Sequence, residues 1–218
     1  MGRRRDFLVI GMGRFGRPLA EELVGMGQDV LAVDVDARLV QACSESVTRV
    51  VQADAREREA LRQLGASDFS SAIVAIGTDV ESSILTTYAL VDLKVPRIWA
   101  KAITYDHGQI LRRIGADRVV FPERDMGVRV AHSMLGRTLD YIELEDGFVL
   151  LEATAPKHMF GMALADAKVR SKHNVTIVAI KVPGGKFTYA TPETVVTEGD
   201  LLVVAGQSRD AEAVAALD

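Results

Sequence analysis

The stretch Phe7-Leu8-Val9-Ile10-Gly11-Met12-Gly13-Arg14-Phe15-Gly16 decides how the rest of the chain reads. Four consecutive apolar residues predict a strand buried on both faces, as in a parallel sheet covered by helices. Residues 17–26 then carry Leu19, Ala20, Leu23 and Val24 on one helical side, with Pro18 tolerated in the first turn and Gly25 and Gly27 near the end. The G-x-G-x-x-G spacing is weak alone, but a strand before it and a helix after it are the context a dinucleotide site needs. Gly11 allows the tight turn, Gly13 the approach of a pyrophosphate, and Gly16 the close packing of helix on sheet. The helix start then offers unpaired N–H groups and a partial positive charge to the phosphates.

The same unit repeats outward from this point. Strands are expected at 30–33, 49–52, 72–76, 97–102 and 118–121, and helices at 37–44, 56–64, 80–93, 107–114 and 125–135. The last of these helices sets Val130, Ala131, Met134 and Leu135 on one face. Strands alternating with helices predict right-handed crossovers, so the fold class is α/β, a doubly wound parallel sheet of Rossmann-like type. After Gly136 the rhythm changes. Strands at 141–144, 148–153, 175–182, 186–189 and 201–205 surround one short helix at 162–169, and a helix at 208–217 closes the chain. Pro183-Gly184-Gly185 marks a hairpin. A second, smaller α+β domain is therefore expected at 137–218, after a nucleotide-binding domain at 1–136.

The chain has 218 residues, 48% of them hydrophobic, with one cysteine and a net charge of −4. That length needs no disulfide staple, and Cys43 alone makes none. No apolar run nears the roughly 20 residues of a membrane helix. The basic start at residues 1–5 precedes only four apolar residues, too few for a secretory signal, and Asp6 breaks the myristoylation pattern. A cytoplasmic protein is expected. Residues 1–135 balance 18 basic against 18 acidic side chains, and the acidic excess lies in the remainder. Nucleic acid, which needs a basic face, is disfavoured as a partner.

Asp34 ends the second strand, 18 residues beyond Gly16. A carboxylate there accepts from ribose hydroxyls and repels a 2′-phosphate, favouring NAD(H) or an adenine nucleotide over NADP. Asp54, at the same sheet edge, either flanks the adenine or caps the next helix. Arg14 places a guanidinium beside the pyrophosphate, which suggests a further phosphate to neutralise. Phe15 completes the loop. Lys101, ending the fifth strand, either approaches this cleft or points to solvent. Glu123 and Asp125 either serve the dipole of the helix they open or offer a hard oxygen ligand to Mg2+ or Ca2+. The histidines His107, His132, His158 and His173 show no metal-ligand spacing and no carboxylate partner in sequence. There is no nucleophile elbow and no Walker lysine. Eighty β-rich residues give little to close over a nicotinamide, so nucleotide binding without chemistry is expected. An NAD-dependent oxidoreductase is the alternative. A redox-sensing transcription regulator lacks its winged-helix or basic module.

The glycine loop, Asp34, Ala53-Asp54, Lys101 and the string Gly115-Ala116-Asp117-Arg118-Val119-Val120-Phe121-Pro122-Glu123-Arg124-Asp125-Met126-Gly127 resemble the RCK (regulator of potassium conductance) family. Within it, the cytosolic subunits of bacterial Ktr potassium-uptake systems are most similar. The resemblance implies TrkA-N and TrkA-C lobes in a homo-oligomeric gating ring, an octamer, docked on a membrane-embedded potassium-translocating subunit. It implies ATP and ADP competing for the cleft, with Gly11, Gly13 and Gly16 at the phosphates and Asp34 at the ribose. Arg14 would meet the terminal phosphate of a neighbour's ATP, and Glu123 would join an inter-subunit divalent-cation site. It also implies a C-terminal lobe that dimerises and takes cyclic di-AMP, with His173 and Asn174 in the corresponding stretch. Trk-type relatives often carry two such modules; this chain carries one.

Overall fold

The structure, a computed structural model, describes residues 7–134 and 138–217. The basic start, Leu135 and the expected boundary at 136/137 lie outside the described residues. The chain divides into two compact units, residues 1–123 and 124–218.

In the first unit the elements run β1 (Phe7–Ile10), α1 (Gly16–Gly25), β2 (Val30–Asp34), α2 (Ala37–Cys43), β3 (Arg49–Gln52), α3 (Arg58–Gln63), β4 (Ser71–Val74), α4 (Val80–Asp92), β5 (Ile98–Lys101), α5 (Tyr105–Ile114) and β6 (Arg118–Val120). Among the described residues, these strands make one parallel sheet in the order β3-β2-β1-β4-β5-β6. Alternation within each strand feeds two cores. Leu8, Ile10, Leu31, Val33, Val74 and Ile98 pack with Leu61 of α3, Leu90 of α4 and Leu111 of α5. Val9, Val30, Ala32 and Ile73 pack on the other face with Ala20 of α1 and Cys43 of α2. Burying each Val or Leu contributes about 1.5–3 kcal/mol, which is why both faces are apolar. The order of strands reverses between β1 and β4, and ligands of such sheets bind outside the carboxyl ends at that reversal. Trp99, on β5, is half-exposed, with the Arg118 guanidinium 5.0 Å from its ring.

The division between the units falls in the first turn of α6 (Pro122–Met134). α6 buries none of its described residues, so Val130 and Met134 of the expected apolar face are exposed. Periodicity says which residues share a face; it does not say that the chain supplies something to cover it.

The second unit continues with β7 (Thr138–Glu143), β8 (Phe148–Thr154), α7 (Leu164–Ala167), α8 (Val169–His173), β9 (Thr176–Lys181), β10 (Thr188–Tyr189), β11 (Leu201–Gln207) and α9 (Ser208–Ala215). Its sheet is antiparallel in the order β10-β9-β11-β8-β7, and the hairpin at 183–185 joins β9 to β10 as expected. Val149, Leu151, Val204, Leu202 and Val214 form its core. One expectation fails here. The single helix at 162–169 is two, because Ala163 bridges Val195 and is held extended, and Lys168 turns left-handed at φ 54°.

Candidate functional site

The glycine loop leaves β1 at the reversal of strand order, and each glycine has its own reason to be there. Gly11 sits at φ +95°, a region that disfavours any side chain. A Cβ on Gly16 would lie 1.8 Å from the Gly11 carbonyl oxygen, so the helix start rests directly on the loop. A Cβ on Gly13 would meet nothing within 4 Å. That open backbone leaves room in the loop for a ligand to come close.

Electrostatics favour an anion there. α2, α4 and α5 each open on a capping side chain, Asp36, Asp79 and Thr104, which accept from the N–H groups of Arg38, Ser82 and His107. α1 opens at Phe15 with no side-chain cap. Within that first turn the Arg17 N–H already donates to the Gly13 carbonyl at 3.1 Å and Pro18 has none, so the positive end of the dipole at Gly16 is what an anion would meet.

Asp34 stands at the end of β2 beside the loop. Its Oδ2 accepts from the Met12 N–H at 2.6 Å and its Oδ1 from the Asp36 N–H at 2.8 Å. Each carboxylate oxygen has a second lone pair, so the same group that braces the loop remains able to accept from a ribose hydroxyl.

Asp54 follows β3 at the same edge. It does not cap α3, which opens on Glu57. Both of its oxygens are gripped by Arg56, whose Nη2 lies 2.5 Å from Oδ2, and this partner holds its carboxyl below the ordinary range. An adenine contact by Asp54 would compete with that fork.

Lys101 ends β5 and does not point to solvent. Its side chain is 8% exposed, its Nζ lies 2.5 Å from Glu123 Oε1, and the Phe15 ring centroid is 5.8 Å away. A Cβ on Gly77, just past β4, would sit 2.8 Å from that ammonium, so the glycine gives the lysine its room. Glu123 lies in the first turn of α6. The hydrogen bond from Lys101 is the main cause that holds its carboxyl below the ordinary range, and the charge of Arg14 adds to it. Arg14 itself is exposed on the loop, with no ion-pair partner among the described residues. The fold thus gathers Gly11, Gly13, Arg14, Phe15, Gly16, Asp34, Lys101 and Glu123 at one sheet edge, with Asp54 farther along it. No group of three or more His, Cys, Asp or Glu that could hold a metal occurs among the described residues.

Two features had no signal in sequence. In the second unit, a cavity of about 500 Å3 is lined by Leu164, Lys168, Arg170, Ile177 and Pro192. Asn174, at φ 56°, donates from Nδ2 to Asp210 and, like His173, is not among the residues lining it. His132 stacks on Tyr141 at 3.8 Å and its Nδ1 lies 3.3 Å from Glu212 Oε1, a carboxylate 80 residues away that local spacing does not reveal.

Residues 7–122 match the TrkA-N domain and residues 148–217 the TrkA-C domain. The chain belongs to the TrkA-N/TrkA-C family. Within the family it is 41% identical to Ktr system potassium uptake protein A of Bacillus subtilis over 96% of both chains. It is 38% identical to Ktr system potassium uptake protein C of the same organism, over 95% of this chain and 94% of that one. The fold of this TrkA-N/TrkA-C chain is also found in part of the GsuK channel bound to NAD, with a TM-score of 0.66 at 21% identity, over 96% of this chain and 38% of the channel's. GsuK bound to ADP matches at 0.53 and 20% identity, over 60% and 34%. No helix among the described residues is long and apolar enough to cross a membrane.

Proposed function

We propose that this chain is a cytosolic nucleotide-sensing subunit of a gating ring that regulates a membrane potassium transporter, with ATP and ADP biasing the open and closed states. The observation that carries this reading is the uncapped, sterically open glycine loop at the reversal of the sheet, with Asp34 beside it, in a chain 41% identical to a Ktr potassium uptake protein. Gly11, Gly13, Phe15 and Gly16 would cradle the phosphates and Asp34 the ribose, with Asp54 at the adenine end. Arg14 would reach a terminal phosphate, and Glu123 would share Mg2+ or Ca2+ with that phosphate. The partner would be a membrane-embedded potassium-translocating subunit, met at the cytoplasmic face by an octamer. The functional lobes would be 1–136 and 137–218. Lys168 and Arg170 in the 500 Å3 cavity supply the positive charge that cyclic di-AMP would require.

A nucleotide gates a ring only by binding two ring shapes with different affinity. A third phosphate bridging Arg14 and a cation would supply that difference, and a coupling of about 1–3 kcal/mol would bias the pore some 5- to 150-fold. The role is binding without chemistry. Calorimetry on Arg14→Ala tests it: ADP affinity should be nearly intact and the preference for ATP lost. Equal loss for both nucleotides would overturn the role of Arg14, and a native mass that is monomeric and indifferent to both would overturn the ring. NAD(H) is a second reading, favoured by the Asp34 carboxylate and by the likeness of fold to the NAD-bound channel. The mass of the nucleotide released from purified protein separates the two.

A further inference from the structure

Lys101 is a charged side chain taken almost wholly out of water and neutralised by one exposed carboxylate, Glu123, whose side chain is 60% exposed. An ammonium has three donors. Glu123 Oε1 takes one, and the others meet no acceptor among the described residues. A buried ammonium left in that condition retains a strong demand for a second anion. The room around it is set by Gly77 and by the Phe15 ring, so the unspent donors lie at the ligand cleft.

The order of strands says which part of a ligand would arrive there. Asp34 marks the ribose at the end of β2, and the glycine loop marks the phosphates one strand away, at β1. β4 and β5 continue the line in the same direction, each about 4.8 Å farther. Lys101 projects from β5 and its Nζ hangs above Gly77, after β4. A nucleoside diphosphate seated on the loop ends near β1. A triphosphate extends toward β4 and brings its last oxyanions to the ammonium.

We infer that Lys101 and Glu123 form a length-gauging latch on the first turn of α6: the third phosphate of a nucleoside triphosphate takes the Lys101 ammonium from Glu123 and frees the helix start, while a diphosphate falls short. This deepens the reading above and rests on it. The third phosphate enters through the unspent donors, and a second anion beside Glu123 repels its carboxylate across the one cation they share, so occupancy by one weakens the hold of the other. Glu123 lies at the last residue of the first unit, where the chain enters α6 and continues into the second. Releasing it is a change at the place where the two units join along the chain.

Amide hydrogen exchange of the full chain over residues 122–130 tests this, in EDTA so that the anion acts without a metal. In the wild type, saturating ATP should raise exchange there by about 5-fold or more, the lower end of ordinary coupling, and saturating ADP should leave it unchanged. Glu123→Gln, a change at an exposed side chain that the fold should tolerate, should exchange fast in every state. Lys101→Met should lose the response to ATP. ATP bound calorimetrically without a change in exchange, an equal response to ADP, or a Glu123→Gln protein that still responds to ATP each overturns the latch and leaves nucleotide binding intact. Absence of any binding heat for either nucleotide overturns the functional reading itself, and the latch with it.

Discussion

Lys101 and Glu123 are 22 residues apart in the chain and 2.5 Å apart in space, the one at the end of β5 and the other in the first turn of α6. The lysine holds the carboxyl of Glu123 below its ordinary value. A carboxyl depressed in this way stabilises the folded state above its unfolded value, and that contribution fades as the pH falls through the folded value. Lys101→Met should therefore move the Glu123 carboxyl back up toward the ordinary range, read as a rise in its midpoint in a 13C NMR titration of labelled glutamate. An unchanged midpoint would mean that the pair does not persist in solution.

Gly16 and Gly13 lie three residues apart and should respond in opposite ways to the same methyl group. At Gly16 the new Cβ meets the Gly11 carbonyl, and overpacking of this kind costs about 1–3 kcal/mol or more. At Gly13 it meets nothing within the protein. Gly16→Ala should lower the thermal midpoint, whereas Gly13→Ala should keep it and weaken nucleotide binding about 10-fold, by obstructing backbone approach. Thermal denaturation and calorimetry read the two effects separately.

His107 carries a pH dependence of its own. Its Nδ1 accepts from the Ile103 N–H at 3.4 Å, which assigns the proton to Nε2, and Nε2 is buried without a partner among the described residues. Burial pushes the imidazole below its ordinary value. As the pH falls below about 6.5 the unfolded chain takes up a proton that the folded one resists, so stability declines with falling pH until the folded imidazole is protonated as well. His107→Leu should flatten the fall in thermal midpoint between neutral and mildly acidic pH. A slope equal to that of the wild type would assign the loss to other groups.

Lys168 combines a strained backbone with a place on the cavity wall. A side chain in the left-handed region costs about 1–2 kcal/mol, which glycine does not incur. Lys168→Gly should raise the thermal midpoint and at the same time weaken binding of cyclic di-AMP, because one of two cations lining the cavity is lost. A stable variant with undiminished binding would remove Lys168 from the ligand's contacts.

The first unit was legible because its signals are local. Phe7–Ile10 is apolar throughout, the glycines punctuate it, and strand and helix periods alternate up to β6; only the ends moved, as where the strand expected at 72–76 forms at Ser71–Val74. The loop and Asp34 were legible for the same reason. What stayed hidden depends on contacts across the chain. Nothing in the local sequence tells that Lys101 turns inward, that Arg56 holds Asp54, or that Glu212 comes to His132. Local sequence does not separate the two short helices α7 and α8, because lysine gives no warning of a left-handed backbone. The exposed face of α6 shows the converse: an amphipathic period that the described residues leave uncovered.

Trp99 is the sole tryptophan of the sequence, and its indole sits on β5 two residues before Lys101, with a guanidinium against its face. Alternate residues of a strand share a side and lie about 7 Å apart. Selective excitation of that one ring therefore looks at the neighbourhood of the ammonium with no label attached, and its emission doubles as a native optical gauge of whatever settles on the sheet edge.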